Sequence, residues 1–248
     1  MTVERVIKNI INDIKEFFID PNTKAVIGIS GGKDSTIIAA LLRLALGPER
    51  VVGVMMPNGE QSDIADSIRV CEMLGIRNYT MNIKDTYQNL CGDFINHTNL
   101  ALTPQIETNT PSRLRMTTLY MVAAAVNGRV VGTTNESEWF MGYFTKWGDS
   151  GCDFAPLKWY TVEEVLQIGD ALDLPYDLVH KTPSDGMCGK SDEEQMGISY
   201  KEIDDYLGND GTGLTKEVYD KIDSMSYKTS HKRELAPGIT NYFNYPKD

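Results

Sequence analysis

The chain is poor in the residues that build metal clusters, disulfide frameworks and nucleic-acid surfaces. Its 248 residues include four cysteines (Cys71, Cys91, Cys152, Cys188) and three histidines (His97, His180, His231). No two cysteines stand at C-x-x-C spacing and only three histidines occur, so no zinc site is expected. The cysteines read as unreactive thiols of a reducing compartment. Positive charge is scarce: 24 Lys and Arg against 35 Asp and Glu leave a net charge of −11. A surface that tracks polynucleotide phosphates needs clustered cations, so no nucleic-acid partner is expected. A small anionic ligand stays open, because a few local cations and backbone N–H groups suffice to hold one. No uncharged run is long enough to span a bilayer, so no membrane association and a cytoplasmic location are expected. Val3, Val6, Ile7, Ile10 and Ile14 fall at helical spacing among Glu4, Arg5, Lys8 and Asp13, an amphipathic helix and not a signal peptide.

The content is otherwise that of one soluble domain over 1–248, with 41% hydrophobic and 24% charged residues. Short apolar runs at 25–29 and 51–55 suit buried strands, with further strands expected near 79–83 and at 129–133. Helical patterns at 36–45, 63–74 and 112–127 separate them, the last capped by Gly128. This alternation implies an α/β fold, a single doubly wound domain with a parallel sheet flanked by helices. Residues 98–111, with Pro104 and Pro111 among Thr and Asn, read as a long loop. From Asn135 the rhythm breaks into an aromatic, glycine-bearing stretch without regular structure. Capping boxes at Thr161–Glu164 and Ser199–Glu202 restart helices, with a polar lid expected over 181–197 between them. A last helix runs from about Thr215 to His231-Lys232-Arg233.

The chemistry concentrates in Gly28-Ile29-Ser30-Gly31-Gly32-Lys33-Asp34-Ser35, between the first strand and its helix. Open parallel sheets bind ligands at that end. Gly31 and Gly32 permit close backbone approach, and the helix N-terminus offers N–H groups to an anion. The Walker pattern fails, since Asp34 follows the lysine and Ile27 stands where its first glycine belongs. A carboxylate beside bound phosphates is repelled unless a divalent cation lies between them, so Asp34 implies Mg²⁺. The plainer alternative is a strand-to-helix turn with Asp34 and Ser35 as capping residues.

The Ser-Gly-Gly-Lys-Asp-Ser motif resembles the pyrophosphate loop of the N-type ATP pyrophosphatases, and four later blocks are similar to the NAD synthetase family. They are Ser112-Arg113-Leu114-Arg115-Met116, Val131 through Glu138, Gly142 through Asp149 with Asp153, and Gly197 through Leu207 followed by Ser230-His231-Lys232-Arg233. The resemblance runs from the first helix to about Lys232. It implies an adenine nucleotide α-hydrolase-like fold, a homodimer, and amidation of deamido-NAD with ammonia at the expense of ATP through an adenylate. It implies Asp34 and Glu138 as Mg²⁺ ligands, and Gly28 to Ser35, Thr133 and Ser184 as ATP contacts. Arg113, Lys146, Asp153, His231 and Lys232 would hold deamido-NAD. Asp149 or Asp153 would bind ammonium or take its proton.

Alternatives stay open residue by residue. Arg113 also suits a solvated helix end, and Arg115 reads as one. Glu138 also suits an exposed loop, and His231 with Lys232 a cation pair at a helix C-terminus. Lys33 either touches phosphate or points to water. Val162 stands where relatives carry an ATP-contacting lysine, with Lys158 or Lys190 as candidate substitutes. The ligase domain accounts for essentially every residue and no cysteine has a nucleophile context, so free ammonia is the expected nitrogen donor. A tRNA-modifying relative would want a basic face, and a non-catalytic sensor would lack the metal carboxylates.

Overall fold

The computed structural model describes residues 1–61, 64–181, 191–209 and 211–235. Asp63, Ser184, Cys188 and Lys190, and most of the expected lid, lie outside the described residues.

In chain order the elements are α1 (Val3–Phe17), β1 (Lys24–Gly28), α2 (Lys33–Leu46), β2 (Val51–Met55), α3 (Ile64–Leu74), β3 (Arg77–Thr80), α4 (Lys84–Thr98), α5 (Pro104–Val126), β4 (Gly128–Val131), α6 (Glu136–Met141), α7 (Val162–Ala171), α8 (Tyr176–Val179), α9 (Asp192–Met196), α10 (Tyr200–Asn209) and α11 (Lys216–Arg233). Among the described residues the strands form one parallel sheet in the order β3-β2-β1-β4. Alternate side chains enter different cores, as the pleat requires. Ala25, Ile27, Val51 and Met55 pack with α1, α2, α3 and α7, while Val26, Val52, Val54 and Val130 pack with α5. Helices cover both faces, as the doubly wound reading expected. No helix among the described residues is long and apolar enough to cross a membrane. Burial pushes the Cys71 thiol up to about 11, which makes it inert.

Several boundaries differ from the sequence expectation, each for a local reason. The third strand ends at Thr80, and Ile83 instead precedes α4 and packs in the core under α5. The expected loop at 98–111 holds the first turns of a 23-residue helix. Thr103 caps it by accepting from Ile106 N, and Pro104 sits in the first turn, where no N–H is needed. Pro111 is buried inside the helix and leaves one interior carbonyl without its usual donor. Asn127, not Gly128, takes the left-handed cap of α5, at φ 53°. Gly128 already lies in β4, where a Cβ would meet Val26 Cγ2 at 2.7 Å, so close packing demands the glycine. The aromatic stretch after Asn135 is helical as α6, because Asn135 and Glu138 form a capping box.

A third core joins α6, α7, α9, α10 and α11 around Met141, Val162, Met196, Tyr200, Ile203 and Ile222. Its polar keystone is Asp204, buried on α10. Its carboxylate accepts Ser137 Oγ at 2.5 Å and Glu163 N at 2.8 Å, and Ser137 Oγ accepts Val162 N at 3.1 Å. A side chain from another helix therefore satisfies open N–H groups at the start of α7. Asp204→Ala is expected to lower stability by about 1–3 kcal/mol in a urea unfolding titration, by removing the cap and stranding buried donors.

Candidate active site

The chain winds from β1 through β2 to β3 in one direction and then returns to place β4 on the other side of β1. The strand order reverses between β1 and β4, and ligands of open parallel sheets bind outside the carboxyl ends of the strands at such a point. Both flanking segments carry predicted residues: 28–35 after β1 and 132–138 after β4.

After β1 the loop is braced from within. Ser35 Oγ lies 3.0 Å from Ser30 Oγ and 3.3 Å from Ser30 N, and donates to Gly32 O at 3.1 Å, while Gly32 N donates to Ser30 Oγ at 3.2 Å. Gly31 has φ 76°, and a Cβ there would come within 2.8 Å of Asp66 Cβ. Gly32 is the N-cap of α2 and supplies no side-chain acceptor, so the first N–H groups of the helix have no side-chain cap. Beside Gly31, the buried Ser67 Oγ has no hydrogen-bond partner among the described residues.

Asn135 joins the two segments. Its Nδ2 donates to Asp34 Oδ1 at 3.1 Å, its Oδ1 accepts Glu138 N at 3.0 Å, and its own N donates to Glu138 Oε2 at 3.3 Å. Asp34 and Glu138, distant in sequence, thus stand on either side of one buried amide. Glu138 is neither loop-borne nor fully exposed, as one sequence reading had it: it lies in the first turn of α6 and is partly covered. Burial pushes its carboxyl up to about 8; Asp34 and Asp149 act in the same sense, against Lys33 and the Asn135 N–H. Lys33 does not point to water. It is 5% exposed, its Nζ lies 2.8 Å from Asp34 Oδ2, and it sits 5.6 Å from the centre of the Tyr200 ring. Burial alone would favour a neutral amine, but Asp34, Glu138 and Asp192 outweigh it and raise the Lys33 pKa.

A second set of predicted residues gathers around the loop after α6. Lys232 Nζ donates to Gly142 O at 2.8 Å and Phe144 O at 2.9 Å, and Arg233 donates to Phe140 O at 2.7 Å. These cations therefore tie the end of α6 to the C-terminus of α11. Lys146 Nζ reaches the carbonyls of His231 and Glu234. The His231 ring is exposed, with Nδ1 3.2 Å from Lys228 O. Arg113 is exposed and donates to Lys146 O at 3.3 Å. Arg113, Met116, Tyr120, Trp147 and Cys152 line a cavity of about 600 Å³, with Trp147 held at φ 63°. Arg115 is not the solvated end charge expected: it is largely covered, and its Nε donates to Met56 O at 3.0 Å behind β2. Asp149 Oδ1 accepts Ser112 Oγ at 2.7 Å and Thr145 N at 2.9 Å. Asp153 is held on both oxygens, by Tyr120 O–H at 3.1 Å and Val130 N at 2.8 Å. Thr133 follows β4 at the same sheet end, half-buried. Val162 is core, and Lys158 is seated 3.8 Å from the Trp139 ring centre.

The model of the NAD synthase family matches residues 3–236. The chain belongs to the NAD synthase family. It is 37% identical to an NH(3)-dependent NAD(+) synthetase of Alkaliphilus metalliredigens over 96% of this chain and 97% of that one. Among solved structures, the NMN synthetase from Francisella tularensis superposes with a TM-score of 0.87 at 34% identity, over 96% of this chain and 99% of that one. The NAD+ synthetase from Burkholderia pseudomallei gives 0.77 at 28% identity, over 95% and 91%.

Asn135 lies in the Val131–Glu138 block but takes no role of its own from the sequence, although Asn-x-x-Glu has the spacing of a capping box. Asn135→Ala is expected to cost about 10–100-fold in turnover in steady-state assays, since the support of both carboxylates goes with it. Glu138 also predicts a pH effect on stability. Its folded pKa lies above the unfolded value of about 4.3, so the folded state keeps a proton that the unfolded state loses. Its contribution therefore declines as pH rises from about 4.3 through about 8. In metal-free protein, Glu138→Gln is expected to flatten that decline, read as a smaller fall of Tm between about pH 5 and about pH 8.

Proposed function

We propose that the junction of Asp34 and Glu138 is where this chain performs its family's reaction, the ammonia-dependent amidation of deamido-NAD with ATP. The observation that carries the reading is a pair of acids at the switch point, beside an uncapped helix N-terminus. Burial is the first cause of the raised Glu138 pKa, and Asp34 and Asp149 add to it, so a cation placed beside the two acids would be favoured. Among the described residues no third His, Cys, Asp or Glu joins the two acids into a cluster. That donor set fits Mg²⁺, which takes one or two carboxylates and completes its shell with phosphate oxygens and water. Mg²⁺ held by Asp34 and Glu138 would supply neutralisation of the charge developing on the triphosphate.

The protein's own groups do the rest. The N–H groups at the start of α2 hold the phosphates, and Gly31 keeps Ser30 to Ser35 in the required path. Hydroxide leaves too poorly for direct amidation, so the nicotinate carboxylate attacks the α-phosphorus of ATP, pyrophosphate departs, and ammonia displaces AMP. Of the two acids expected to receive the ammonium proton, Asp149 is better placed. Its Oδ2 carries no hydrogen bond among the described residues and it acts electrostatically on Glu138, whereas both Asp153 oxygens are occupied. Asp153 then positions the end of β4. The cavity lined by Arg113 and Trp147 offers room for the dinucleotide, and Arg113 hydrogen-bonds to Lys146, whose Nζ reaches the carbonyls of His231 and Glu234. Leu90, Ile95, Tyr120 and Met121 leave an exposed apolar face on α4 and α5 next to it, which supports a homodimer.

The closer superposition on an NMN synthetase supports a second substrate, nicotinic acid mononucleotide, for the same chemistry. Pyrophosphate release measured with each nucleotide, with and without ammonium, decides both points. Sustained release is expected only with ammonium present, and faster with deamido-NAD. Asp34→Ala is expected to reduce it about a hundredfold or more. Wild-type turnover in that variant would sink the site assignment, and a preference for the mononucleotide would change the substrate.

A further inference from the structure

Lys33 occupies an unfavourable place for a cation. It is the first residue of α2, where the helix dipole is positive, and it is 5% exposed. Asp34, Glu138 and Asp192 all act on it electrostatically, and its ammonium lies against the Tyr200 ring. Both oxygens of Asp34 are engaged, Oδ2 by Lys33 Nζ at 2.8 Å and Oδ1 by Asn135 Nδ2 at 3.1 Å. A divalent ion at Asp34 would stand beside the Lys33 ammonium and be repelled by it until that ammonium withdraws. Asn135 is fixed on its other atoms by the capping box with Glu138. Lys33 is held by a flexible four-carbon stem and can swing away.

We propose that Lys33 is an internal stand-in for the divalent cation: its ammonium fills the charge site between Asp34 and Glu138 until nucleotide and metal arrive together. The inference rests on the metal reading of Asp34 and Glu138 given above. A divalent ion alone must displace a buried ammonium from Asp34 without bringing it new anionic acceptors, leaving it only the charges of Glu138 and Asp192. Bound nucleotide supplies such acceptors, because its phosphate oxygens receive Lys33 as the metal takes Asp34. Metal affinity is therefore low without nucleotide and rises with it, which keeps the phosphate loop from being occupied by a metal ion alone. In the apo protein the same ammonium limits repulsion between two acids that would otherwise face each other.

The test is Mn²⁺ binding followed by the electron paramagnetic resonance signal of the free ion, with and without α,β-methylene-ATP. It uses wild-type protein, Lys33→Gln, Lys33→Met and Asp34→Asn, each checked for an unfolding transition. Without nucleotide, the neutral Lys33 variants are expected to bind Mn²⁺ about tenfold more tightly, as when a conformation populated at about a tenth becomes the main one. The analogue should then tighten Mn²⁺ binding more in wild type than in either variant. Equal or weaker Mn²⁺ binding in whichever Lys33 variants fold overturns the proposal. If Asp34→Asn loses Mn²⁺ while the Lys33 variants gain nothing, only the stand-in role fails. If Asp34→Asn binds Mn²⁺ as wild type does, the metal site and this proposal fail together.

Discussion

Two carboxylates brought close in a partly closed site repel each other, and the fold around the switch point is arranged to hold them there. Asp34 comes from the start of α2 and Glu138 from the start of α6, and Asn135 hydrogen-bonds to both. Without that amide the ends of β1 and β4 would lack a direct polar tie at this point. Lys33 lowers the cost from the other side. Burial above all, with Asp34 and Asp149 adding to it, keeps the Glu138 pKa raised.

The rest of the molecule supports that junction at a distance. The sheet sets the separation of the two strand ends by pairing β4 directly with β1, in a register running from Lys24 with Gly128 to Ile27 with Val131. Gly128 permits that pairing, because any larger residue would push against Val26 and the Lys24 carbonyl. The core of α6, α7, α9, α10 and α11 fixes the orientation of α6, with Asp204 capping α7 and Arg233 and Lys232 gripping the far end of α6. Cations expected to touch a ligand thus also carry a structural duty.

The β/α rhythm was legible because buried parallel strands are short apolar runs and amphipathic helices repeat at a different period. Thr161, Ser199 and Thr215 marked helix starts correctly, since capping is chemistry between near neighbours in sequence. The helix begun by Thr103-Pro104 was hidden by prolines that normally signal a loop. Here Pro104 occupies a position that tolerates it, and Pro111 is carried by packing that no local rule sees. Position 162 shows the same limit: a valine there looked like a missing ligand, and the structure spends it on a hydrophobic core.

The sequence by itself determined the family, the parallel α/β architecture and the phosphate loop, because periodicity, glycine placement and motif spacing are properties of adjacent residues. Only the tertiary structure decided that Asn135 joins the two acids, that Lys33 turns inward onto Asp34, and that Arg115 braces the end of β2. Each of those depends on a contact between distant segments, or on burial that segments far apart in the chain create. Burial sets the charge state of a side chain, and a linear reading contains no measure of it.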